Sequence, residues 1–229
     1  MNHPKPESLL SANQNAKMIA GWARIGIVSG LFACTAYPVM TLLPLPRILQ
    51  LILGGGFGPA LAIACISLMH ILQTRKRTPT LELAGIFNAL AGALVTAMII
   101  IQLSINYSTY SIDEAQIANH LRHRIWDVVL GLDVAFDMFI GIGTLFFAIN
   151  MISDKRFGKI IGWLGIGTSL VVILGANIFY FPDPPYIHGF PHVGIFTGVW
   201  YLAVTLLMIR WVRKEAILFK DKNDELKSS

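Results

Sequence analysis

The stretch Ile125–Ile152, IWDVVLGLDVAFDMFIGIGTLFFAINMI, decides how this chain is read. As a helix it is long enough to cross roughly 30 Å of hydrocarbon, which takes about 20 residues. It is a continuous apolar run and not the ten-residue alternation of a membrane barrel, and open strands would leave backbone groups unpaired in lipid. A transmembrane helix follows, and with it the question of why Asp133 and Asp137 lie inside it.

Five further segments of the same kind flank it. Ile19–Leu43, Ile48–Leu72 and Leu81–Tyr107 precede it, and Phe157–Phe181 and Val193–Val212 follow. The expected fold is all-α, a polytopic transmembrane helical bundle of about six helices. It occupies residues 19–213, between a polar N-terminal tail at 1–18 and a C-terminal tail at 214–229. Composition agrees: 55% of the 229 residues are hydrophobic and 14% are charged, against roughly 25% charged in soluble domains. No short apolar region with a small-residue cleavage site follows the tail, so the first span is expected to double as the insertion signal.

The net charge of +5 does not indicate a nucleic-acid partner, because the basic residues fall between apolar blocks. Arg75, Lys76 and Arg77 separate spans two and three, and Lys155, Arg156 and Lys159 separate spans four and five. Arg213, Lys214, Lys220, Lys222 and Lys227 follow span six. With six spans these regions share one face, while Arg47, Arg122 and Arg124 lie on the other. The positive-inside bias then places both termini in the cytoplasm.

Asp133 and Asp137 are four residues apart and share one helix face, continued by Gly141 and Thr144. An aspartate near the bilayer centre costs about 3 kcal/mol on insertion scales. Two within one turn cannot easily both stay ionised, so the pair is expected to hold a shared proton, a cation or a polar ligand. Alternatively each is protonated, or bonded to Asn88, Gln102, Asn177 or a serine on a neighbouring helix. By depth, Gln102, Asn177 and Asp133 fall in the outer half. An outward-facing polar cavity floored by Asp137 is the resulting expectation.

A second cluster lies on the outer side. His120, His123 and Asp127 follow i, i+3, i+7 spacing, provided a helix opened by the Ser111–Glu114 capping box runs into span four. His188 and His192 belong to the facing proline-rich loop. Imidazole and carboxylate suit zinc, copper or iron, and two histidines from different elements could hold haem.

The remaining features are read as packing. Gly85, Ala89, Ala93 and Ala97 form a small-residue stripe in span three, with Asn88, Gly92 and Thr96 beside it. Gly54, Gly55, Gly56, Gly58 and Pro59 permit either a kinked, closely packed helix or a broken one. Cys34 and Cys65 lie in apolar runs with no CxxC spacing and read as small hydrophobes. Gly21-Trp22-x-x-Ile25-Gly26 recurs as Gly162-Trp163-x-x-Ile166-Gly167, too short a match to define a repeat. GxSxG, HExxH and Walker A sequences are absent, and no lysine lies mid-span to attach a retinal.

The second half of the chain, from GIGTLFFAINMISDKRFGKIIGWLGIGTSLVV to the proline-rich FPDPP, resembles a family of uncharacterised six-span bacterial inner-membrane proteins. In that pattern a glycine-rich span ends in a basic loop, followed by a Gly-Trp-Leu-Gly start and a proline-rich turn. The resemblance implies the bacterial cytoplasmic membrane and a compact helical bundle, and it implies no activity.

Three functions fit these residues. The first is a non-enzymatic membrane component binding a small ligand, lipid or partner subunit. The second is a proton- or cation-coupled transporter of small solutes using Asp133 and Asp137; it would need a homo-dimer or a larger membrane complex, since six spans are few for a transporter. The third is a metal- or haem-dependent membrane enzyme using the outer histidines.

Overall fold

A computed structural model describes residues 6–107, 115–178 and 194–228, with side chains at 17–105, 124–174 and 194–213. Among these residues all regular structure is helical. The elements are α1 (Pro6–Leu42), α2 (Arg47–Gln73), α3 (Pro79–Tyr107), α4 (Ala115–Met151), α5 (Gly158–Leu170) and α6 (Gly194–Ser228). Beyond Leu170, α5 widens into a π-helical segment, Val171–Ile178. All but α5 are long and apolar enough to cross a membrane.

Each helix packs on its neighbours in sequence, and α6 returns to α1, so the six form a closed ring. The core of that ring is apolar, with Phe147, Leu68, Ile71 and Leu81 fully buried. The outside is apolar too. Val28 is 69% exposed, Val199 62% and Ile160 75%. Apolar surface on this scale is disfavoured in water, and it is the surface expected of helices facing lipid tails. The chain is therefore a multi-pass membrane protein.

The α2 glycines settle which of their two readings holds. Helix α2 runs uninterrupted through Gly54–Gly58 and Pro59, so the segment is a packed helix and not a broken one. Gly58 lies against α3 at Gly92, where an added Cβ would meet the Gly92 carbonyl and the Thr96 hydroxyl. Absence of side chains lets the two backbones approach, which is how helices associate in lipid. The α3 stripe that packs is thus the one containing Asn88, Gly92 and Thr96. In the other stripe Gly85 is buried, but Ala93 and Ala97 are exposed. Spacing made the two equivalent, and only the second has a neighbour along its length.

One end of the ring gathers most of the charge. Apart from Arg47 and Arg124, every lysine and arginine with a described side chain lies at or near the end formed by the α2–α3 and α4–α5 connections, the start of α1 and the end of α6. Contacts confirm that these four regions meet. Arg156 donates from Nη1 to the Thr74 hydroxyl at 2.9 Å, and its guanidinium lies 5.5 Å from the Trp211 ring centroid. Trp22 of α1 stacks on His70 of α2, 4.4 Å between centroids. Gly158, at φ +83°, lets the tight α4–α5 turn close in the left-handed region that glycine adopts readily.

Candidate functional site

Asp137 lies at the middle of the apolar part of α4, thirteen residues from Arg124 and fourteen from Met151, which is about 20 Å from either end. It is 9% exposed. Among the described residues it has no hydrogen bond or ion pair. Buried carboxyls without a partner are rare, because desolvation penalises them strongly. Asp133, one turn toward the end away from the charge, is the nearest described acid acting on it. Asp133 is half-buried and lies close enough to Tyr37 of α1 to act on its hydroxyl. Tyr37 in turn rests on Phe57 of α2.

Two turns of α4 define what faces Asp137. Gly141, on the same stripe, packs against Ile173 and Val172 of the π segment. Because α4 and α5 are antiparallel, Asn177 of that segment stands level with Asp137; its side chain lies outside the described residues. Single-turn π deformations recur at functional sites; here a longer one borders a buried acid.

Further along the stripe lies a polar network that the sequence did not announce. The Tyr201 hydroxyl of α6 donates to Asn88 Oδ1 of α3 at 2.6 Å, and Thr144 of α4 is 3.1 Å from the same hydroxyl. Asn88 donates its amide to the Ala84 carbonyl at 2.8 Å and presses against Gly143, where a Cβ would collide with it. Tyr201 is 7% exposed, and Asn88, Thr144 and Cys65 are fully buried; Cys65 lies beside the tyrosine hydroxyl. Asn88 is therefore committed to Tyr201 and does not serve the aspartates. Gln102 is half-buried and has no described bond to either of them. Cys34 and Cys65 are free thiols.

The outer cluster is only partly visible. His120 and His123 fall within α4, so the helix does continue back from the span to Ala115. Their side chains, together with Ser111, Glu114, His188 and His192, lie outside the described residues. Asp127 is described, and it pairs with Arg124 at 3.7 Å on an exposed surface. No group of three or more metal-binding side chains occurs among the described residues.

Two cavities stand out, and neither reaches Asp137. One of about 70 Å³ lies between Arg47, Leu51, Ile100, Leu103 and Ser104. The other, of about 170 Å³, is at the charged end. The expected polar cavity floored by Asp137 is not seen among the described side chains, which stop short of the loops that would form its mouth.

No protein-family model matches this chain, and none of the curated proteins or solved structures compared with it does either.

Proposed function

We propose that this multi-pass membrane protein is a non-enzymatic component that binds a small cation, a proton or a protonated polar ligand at Asp137, with Asp133 and Asn177 beside it. In this reading it lies in the bacterial cytoplasmic membrane with six spans and both termini inside. The site then opens toward the outer face. The observation that carries the reading is a carboxyl at mid-membrane depth, buried and without a described partner. Intramembrane acids persist where they bind or move charge. The π segment opposite supports it, since a widened helix turn exposes backbone carbonyls that suit a cation.

Coupling of this site to transport is the second reading. The neighbouring Asp133 favours it, because two acids one turn apart give a proton a place to go. The two readings separate experimentally. In either one, the purified protein gives a carboxylic C=O infrared band that changes with pH or with added monovalent cation. Asp137→Asn abolishes that response while leaving the helical circular-dichroism spectrum intact. A band indifferent to both variables would sink the proposal. In proteoliposomes with an imposed pH gradient, dye-reported proton flux lost in Asp137→Asn marks a transporter. A responsive band without flux marks a binding component.

A further inference from the structure

A cleft of about 170 Å³ lies at the charged end, apart from the aspartate site. Leu72 and Leu81 form its apolar wall, and Asn150 and Ser153 line it from α4 and the turn beyond. Arg75 and Lys76 stand exposed at its edge, and Asp154 is buried beside it. The wall is rigid. Thr78 donates to Asn150 Oδ1, and the Asn150 amide donates to Thr80, each at 3.0 Å.

Charge accounting leaves a surplus. Both Asp154 oxygens are taken by Arg156, through its backbone N–H at 2.8 Å, Nε at 3.0 and 3.2 Å, and Nη2 at 2.6 Å. Arg77 is paired with Glu82 at 2.9 Å. The side chains of Arg75 and Lys76 have no hydrogen bond or ion pair among the described residues, the Arg75 backbone N–H being bonded to the Leu72 carbonyl. The cleft therefore presents two exposed cations next to an apolar wall, neither held by a contact, with Arg75 acting on Asp154 only at a distance. An arginine fork and a lysine ammonium together match a phosphate. Basic pockets between helices at a membrane surface suit phosphorylated headgroups.

We propose that this cleft binds a phosphate group through Arg75 and Lys76. A phospholipid headgroup reaches it from the adjoining leaflet with its acyl chains along the exposed apolar helix faces; a soluble phosphate reaches it from water. Charges that serve only to orient the chain in the membrane would show no such preference.

The test is thermal unfolding of the full chain in neutral detergent, followed by tryptophan fluorescence. Short-chain phosphatidylglycerol, phosphatidylcholine of the same chain length and inorganic phosphate are added separately. Phosphatidylglycerol raises the Tm beyond phosphatidylcholine, and Arg75→Gln/Lys76→Gln raises the lipid concentration needed for that shift roughly twenty-fivefold, about fivefold for each basic side chain. Inorganic phosphate that raises the Tm with the same dependence on Arg75 and Lys76 identifies a soluble source; a response to the lipid alone identifies the headgroup. The absence of a shift with either phosphatidylglycerol or phosphate would overturn the proposal, as would an undiminished shift in the double variant. The single exposed substitution Lys76→Gln, expected to weaken the effect about fivefold, keeps the test open if the double variant is not recovered.

Discussion

Asp154 shows how a single charge is kept at a membrane surface. Burial alone would raise its carboxyl, but hydrogen bonds from the Arg156 side chain and backbone, with the Arg156 charge and the more distant Arg75, hold it below the ordinary carboxylate value. A group held low in the folded state stabilises the fold above its unfolded value and loses that contribution as pH falls through the folded one. Asp154→Asn should therefore lower the Tm at neutral pH. The difference from wild type should shrink as pH is taken below about 4. Equal differences at both pH values would show that the carboxylate charge is not what matters. At this same scale Asp133 and Asp137 were legible in the sequence, since i, i+4 spacing and an apolar surrounding suffice to single them out. The partner of Asn88 was not. Tyr201 is 113 positions away, and its helix reads as any other apolar span.

Among elements, the contact of α2 with α3 rests on Gly58 and Gly92 facing each other. Gly58→Leu must push the helices apart, because the atoms it meets are a backbone carbonyl and a hydroxyl that itself donates to that carbonyl at 2.7 Å. The expected cost is about 2 kcal/mol, within the range for overpacked interiors, read as a lower midpoint in denaturant-titrated micelles. Ala97→Leu, on the stripe that faces outward, should leave the midpoint unchanged. Equal effects would mean the packed stripe is misassigned. Helix positions were readable because the bilayer dictates length and hydrophobicity together: Ile48–Leu72 was expected and Arg47–Gln73 is found. Which of two stripes meets a neighbour was not readable, since both repeat every four residues. Nor was the π segment, because VVILGANI is ordinary apolar sequence.

For the whole molecule, the grouping of Thr74, Arg156 and Trp211 at one end means that the charged connections share a side of the membrane whatever the orientation. On the reading proposed above, which follows the positive-inside bias, that side is the cytoplasm. In intact cells a membrane-impermeant thiol reagent should label Arg47→Cys and Arg124→Cys but not Lys155→Cys. Lys220→Cys should behave like Lys155→Cys if α5 and its π extension cross the membrane. Labelling of Lys220→Cys from outside would reduce the span count to five.

The ties made by Arg156 have a mechanical side. They join the α2–α3 connection, the α4–α5 turn and the last turns of the α6 span at a single guanidinium, about 20 Å or more from Asp137 along α4. A ring of rods fastened at one rim behaves like tongs. It pivots at the fastened rim, and any sideways displacement grows with distance from the pivot. If the ring opens in this way, helix displacement is smallest at the charged cleft and largest at the far rim, and on the reading proposed above a ligand of Asp137 would enter by spreading the end that Arg156 does not hold.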